Sequence, residues 1–291
     1  IWDDHEIMDG WGSYTKNELA DELGLWWELS GPKELALAFE MFEAAKAVYW
    51  EYEHSHNPST PSGVYDYEYS VRDCAFYVLD MRGKRDFDRK TYKILGKDQI
   101  KRFEAWVRSR NRDQARALFV VAPVPVIHAS DFVVNKADLA LFGLADDLRD
   151  EWEHETNWDE RNVILKLLFE YSEKTGKAVA FLSGDVHIGA AFRIRNDNWK
   201  AARVYQLTSS SITHPGFPGL ELIIRDAGEV GNKKSAPAAD RYQYEKLDSF
   251  GRNNFGIVTV KEGASNAIVH WDLYGQSHDG RDLVKRKRIE L

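Results

Sequence analysis

Ala178-Val179-Ala180-Phe181-Leu182-Ser183-Gly184-Asp185-Val186-His187 is the stretch on which the fold turns. Five apolar residues in succession, closed by Ser-Gly, read as a strand buried on both faces, the kind found inside α/β sheets. Such a strand delivers Asp185 and His187 to the loop past its carboxyl end, the edge where open α/β sheets gather their ligands. A second cluster of acids and imidazole stands at Trp2-Asp3-Asp4-His5-Glu6, and Gly10, Gly12 and Ser13 behind it place it at the start of a loop. The two clusters are read as halves of one metal site. Carboxylate oxygens bring charge and can bridge two ions, while neutral imidazole suits zinc, iron or manganese. Taken singly, each has a plainer reading: an Asp and a His two apart are common on surfaces, and Asp3 to Glu6 would serve as a solvated acidic turn.

Outward from these clusters the chain alternates helix and strand. Pro32 to about Glu53 carries apolar residues at helical spacing and starts on a proline suited to the first turn. Tyr65 to Asp80 alternates as one or two strands, and Gly96-Lys97-Asp98 opens a helix through Phe103, Trp106 and Val107. Ala117 to Val121 is a strand closed by Pro123 and Pro125, because proline cannot continue a central strand. Helices are expected over Leu139 to about His154 and over Asp159 to Thr175, with Asp159 read as the cap of the latter and Gly176 as its stop. Strands follow at Ala190 to Ile194, Val204 to Thr208, Phe255 to Val260 and Ala267 to Leu273. The organisation is a single domain over residues 1–291, with a surface helical insertion at about 14–60 and a surface loop insertion at about 215–250.

With 291 residues, 43% of them hydrophobic and 30% charged, the chain has the composition of an ordinary globular protein, large enough for one sizeable core or two modest ones. A formal net charge of -8 argues against a general nucleic-acid surface, which needs a basic face for phosphates. The lone cysteine, Cys74, excludes a disulfide scaffold. No apolar run approaches the ~20 residues of a membrane-spanning helix. His54, His56 and His128 are read as loop histidines.

Several short blocks occur in one order: Trp2-Asp3-Asp4-His5-Glu6, Leu79-Asp80-Met81-Arg82, Leu95-Gly96-Lys97-Asp98-Gln99, Trp158-Asp159-Glu160-Arg161, Ser183-Gly184-Asp185-Val186-His187, Thr208 to Thr213, and Asn254-Phe255-Gly256. In this order they resemble the PhoD-like (alkaline phosphatase D) branch of the calcineurin-like metallophosphatases, over nearly the whole chain. The resemblance implies a four-layer αββα sandwich of two mixed sheets flanked by helices. It also implies two metal ions (iron, zinc, manganese or calcium) that activate a hydroxide for in-line attack on a phosphate ester. Asp4, Asp185 and His187 fall on metal-ligand positions, and His5 falls on the histidine that faces phosphate and acts as acid. Asp3 and Glu6 become partners of His5 or extra ligands. Arg82 or Arg85 is expected to clamp phosphate oxygens with its guanidinium fork, and Trp2 to wall the site.

This chain departs from the superfamily pattern in two places. The earlier blocks, an Asp-x-His strand end and a Gly-Asp loop, do not occur, so they are expected to precede residue 1 and the fold to be incomplete at its N-terminus. Pro123 occupies the place of a further ligand histidine. Two competing functions follow, a phosphatase-like binding or assembly module with a degraded site, and a nuclease, which would need a basic groove. Substrate beyond a small phosphate ester, compartment and oligomeric state are not specified by these motifs, although relatives are often secreted or periplasmic.

Overall fold

The computed structural model describes residues 1–27, 32–85, 87, 94–110, 115–127, 152, 154–213, 224–231, 237, 241–263, 267–277 and 279–291. Two helices come first, α1 (Lys16–Trp27) and α2 (Pro32–Tyr52). Thr15 and Glu18 start α1 reciprocally: the Glu18 carboxylate accepts the Thr15 N–H at 2.8 Å, and the Thr15 hydroxyl accepts the Glu18 N–H at 3.3 Å. The hairpin β1 (Tyr67–Val71) and β2 (Cys74–Val78) leads through α3 (Gly96–Arg110) to β3 (Ala117–Val121). Then come α4 (Trp158–Thr175), β4 (Ala178–Ser183), β5 (Gly189–Arg195), β6 (Arg203–Thr208), β7 (Ala227–Glu229), β8 (Gln243–Phe250), β9 (Asn254–Lys261), β10 (Ile268–Gln276) and β11 (Leu283–Glu290).

Eight strands form one mixed sheet in the order β1-β2-β3-β4-β6-β5-β8-β7, and β11-β10-β9 form a second. β2, β3, β4 and β6 run parallel, which points the carboxyl ends of β2 and β4 to one edge. The apolar run at 178–182 explains the layering, since its side chains alternate between two cores. Val179 and Phe181 pack with Phe103, Trp106, Ile164 and Leu168 of α3 and α4, while Ala178 and Ala180 face Val269, Trp271 and Leu273 of the second sheet. The small residues on the second side let the sheets approach. This is the layered α/β arrangement that the resemblance implies, with one difference: among the described residues the second sheet is antiparallel throughout rather than mixed, because its three consecutive strands are joined by short connections.

Two further expectations are corrected. The span 215–250 is not wholly a surface insertion: β7 and β8 complete the large sheet, and Tyr242 and Tyr244 enter its core. Glu245, Lys246 and Asp248 made this half-buried strand read as a polar loop, yet Glu245 pairs with Arg195 across the strands and Lys246 with Asp226 at 2.8 Å. Helix α4 begins at Trp158 behind Asn157, so Asp159 lies in its first turn rather than at its cap, where an acid favours the helix dipole. Gly176 closes α4 in the left-handed conformation, φ 68. Residues 139–151 of the expected helix, and His128, lie outside the described residues.

Candidate active site

The loop beyond β4 is built under local constraint. Asp185 and His187 both adopt left-handed backbone, φ 70 and φ 55, a conformation that costs non-glycine residues free energy and clusters at functional sites. The loop is fastened on three sides: Gly184 N–H donates to Pro123 O at 3.0 Å, Ser209 N–H to Ser183 O at 2.9 Å, and His187 N–H to Ser210 Oγ at 3.3 Å. Pro123, in the position expected of a ligand histidine, thus contributes its carbonyl to holding this loop.

The first cluster folds as one turn of 3-10 helix, Asp4–Glu6, with Asp3 as its cap. Glu6 reaches back to accept the Asp3 N–H, which makes it a cap partner rather than a ligand or a partner of His5. Asp4 is buried, and its two carboxylate oxygens accept the N–H groups of His5 at 2.9 Å and Gly10 at 2.8 Å. Gly10 and Gly12 turn the chain at φ 67 and φ 105, and a Cβ at Gly12 would lie 2.7 Å from Arg85 Cδ. That turn therefore requires glycine.

Asp3, Asp4 and Asp185 meet here, with one carboxylate oxygen from each lying within 4.8 Å of the others. Asp4, His5 and Asp9 make a second group of the same size, more open to solvent: the His5 and Asp9 side chains are 70% and 69% exposed, with Nε2 3.6 Å from Asp9 Oδ1. Asp9 was not anticipated from the sequence, although its spacing of four from His5 is the signal that would have found it. The half-buried His187 belongs to neither group, although its loop carries Asp185 into the first.

Three expected substrate residues are placed differently. Arg82 is fully buried: its Nε, at 2.6 Å, and its Nη2 donate to Asp3 Oδ1, its Nη1 donates to the Trp11 carbonyl at 2.8 Å, and Nη2 lies 3.8 Å from Asp4. Its fork is spent on the protein's own acids, so it orders the carboxylate pair instead of clamping substrate. Arg85 is also buried, donating from Nε to Met81 O at 2.7 Å with its aliphatic chain against Gly12. Trp2 is 1% exposed, stacked on Tyr49 with ring centroids 4.8 Å apart, and is a packing residue rather than a wall. Its indole N–H donates to Asp80 Oδ1 at 2.9 Å.

Asp80 is the hidden anchor of this arrangement. The same Oδ1 accepts the N–H groups of Arg82 at 3.1 Å and Gly83 at 2.8 Å, while Gln99 of α3 pairs with the Asp80 backbone through both ends of its amide, at 2.9 and 2.7 Å. Burial pushes the Asp80 carboxyl pKa upward, against these N–H donors that lower it. A chain of contacts therefore runs from α3 through Asp80 and Arg82 to Asp3. His54, read as a solvated loop histidine, is buried against Trp50 with Nε2 2.7 Å from Thr60 Oγ1, and burial holds its pKa below the usual imidazole value.

Residues 1–271 match the family model described as PhoD-like phosphatase. The structure is similar to one titled "Structure of PhoD" (TM-score 0.51, 15% identity), covering 99% of this chain and 54% of that one. It is also similar to the purple acid phosphatase PPD1 from yellow lupin (Lupinus luteus) seeds (TM-score 0.43, 12% identity), covering 80% of this chain and 34% of that one. The chain thus spans about half, or less, of the length of these solved structures. The curated proteins contain no match to it.

Proposed function

Because the chain belongs to the PhoD-like phosphatase family, we propose that it supplies the carboxylate site of a metal-dependent phosphoric ester hydrolase acting on small mono- or diesters. The observation that carries this reading is the convergence of Asp3, Asp4 and Asp185 from two distant loops within 4.8 Å. Like charges this close repel one another, and a divalent cation held between the three carboxylates would offset that repulsion. An all-oxygen donor set suits hard or borderline ions such as calcium, manganese or iron. The residues present therefore fit a metal, with Asp3, Asp4 and Asp185 holding it and His187, on the Asp185 loop, as the nitrogen ligand for a second ion.

When bound, two such ions supply charge neutralisation at the phosphate and lower the pKa of water. The chain's own residues do the rest. Arg82 fixes the Asp3 carboxylate and shields it from Asp4. The exposed His5, with Nε2 3.6 Å from Asp9 Oδ1, is placed to hand a proton to the departing ester oxygen and to receive one back.

The test is hydrolysis of p-nitrophenyl phosphate and bis-p-nitrophenyl phosphate, with metal analysis of the protein. Bound metal and turnover, lost in Asp185→Ala and reduced in His5→Ala, are the expected results. Bound metal without turnover would instead favour a binding or assembly module, and absence of both would sink the reading.

A further inference from the structure

The sheet edge that carries the acidic site also carries a cationic feature that the hydrolytic step does not use. Gly189 of β5 and Phe250 of β8 are the terminal pair of an antiparallel ladder, so the chain entering β5 from His187 and the chain leaving β8 toward Arg252 lie at the same end. Hydrogen bonds knot these two segments together. Ser210 Oγ accepts the His187 N–H at 3.3 Å, and the buried Asn254 donates from Nδ2 to Ser210 O at 2.5 Å and to Arg252 O at 2.8 Å. Arg252 is thereby held at the rim of the metal-binding loop.

The Arg252 guanidinium carbon lies 5.9 Å from the centroid of the Phe250 ring, and that of Arg286 lies 4.8 Å from it. Arg286 is aimed there by a β-bulge: the β10–β11 register passes from Leu273–Lys287 to Tyr274–Lys285 and leaves Arg286 without a cross-strand partner. The neighbouring cations are already matched. Lys285 and Arg288 both pair with Asp272, at 2.7 and 2.6 Å, and Lys287 donates to Leu247 O at 2.7 Å. Among the described residues, no carboxylate or carbonyl pairs with the guanidinium of Arg252 or Arg286. In a chain with a net charge of -8, two such guanidiniums converging on one ring is an arrangement that an anion would stabilise.

We propose that Arg252 and Arg286, gathered over Phe250, form an anion subsite for a second phosphate group of the ester substrate, distal to the phosphorus being attacked. The substrate class is then a small organic ester bearing two phosphates. The inference rests on the phosphoesterase reading for its place in a reaction, and on the two arginines for binding.

Calorimetric binding to the metal-loaded full chain tests it, comparing thymidine with phosphates on both hydroxyls against thymidine monophosphate. A second phosphate engaged by charge-assisted hydrogen bonds is expected to tighten binding about tenfold. In the Arg252→Ala, Arg286→Ala double variant this preference falls to less than about twofold, and in Arg286→Ala alone, on an exposed bulge that tolerates truncation, it falls partway. Equal binding of the two nucleotides to the wild type, or a preference surviving the double substitution, overturns the subsite. Turnover separates the two ideas. If the wild type hydrolyses no ester yet loses its preference with the arginines, the hydrolase reading fails and the subsite stands; if Asp185→Ala abolishes turnover while the arginines leave the preference intact, the reverse holds.

Discussion

Arg82 and Asp3 form an ion pair in which Nε and Nη2 of a fully buried guanidinium both donate to one carboxylate oxygen, with Asp4 3.8 Å from the same Nη2. One cation thus holds together two acids that would otherwise repel. Removing one partner of a buried pair leaves the other charge uncompensated and costs about 3–5 kcal/mol. Arg82→Met is expected to lose stability of that order, measured by urea unfolding. Arg82→Lys keeps the charge but not the fork, and because Arg82 does not face substrate, its kcat should fall while KM changes little. A rise in KM alone would return Arg82 to the role of substrate clamp.

Trp2→Phe keeps the ring stack on Tyr49 and removes only the N–H given to Asp80. The buried carboxylate then loses one of its three donors, at a cost of about 1–3 kcal/mol. KM for p-nitrophenyl phosphate should be unchanged. A several-fold increase in KM at wild-type stability would restore Trp2 to the wall of the site.

Metal binding by the three carboxylates should register as stability. At a free ion concentration ~100 times Kd, a ligand that binds only the native state adds about 2.7 kcal/mol. A thermal melt of the wild type should rise on adding calcium or manganese and fall again with chelator, whereas Asp185→Asn should show neither change. Equal shifts in both proteins would place the ion elsewhere.

Asp272 carries the clearest acid dependence. Arg288, foremost, and Lys285 hold its carboxyl well below the usual carboxylate range. Its folded-state pKa is depressed, so the unfolded chain binds the proton more tightly and stability falls as pH drops. The contribution is fully present above the ordinary carboxylate pKa of ~3.9 and disappears below it. Asp272→Asn should therefore be less stable than wild type at neutral pH, with the gap closing between pH ~4 and strongly acidic solution in denaturant titrations. A gap that stays constant over that window would sink the assignment.

Much of this was readable from residue order. The apolar run before Ser183 declared an internal strand, the proline at 32 and glycine at 176 bounded two helices, and the ordered motifs identified the family. β8 was missed because its polar residues satisfy one another across strands, so its alternation does not stand out as hydrophobic periodicity. Arg82 and Arg85 were misread for a related reason. Beside Gly83 and Lys84 they look like exposed cations available to clamp phosphate, and nothing local shows that Asp3, Trp11 and Gly12 close over them.

Local chemistry thus sufficed for what short range controls: which segments are strands or helices, and which side chains bear carboxylate or imidazole. It could not say which of those side chains meet, because burial and pairing depend on contacts between residues far apart in the chain. Folding placed Asp3 and Asp4 beside Asp185, set Arg82 beneath them, and turned the guanidiniums of Arg252 and Arg286 toward Phe250. Each of these pairings is a balance of desolvation against charge that exists only once the sheet edges and loops have closed around it.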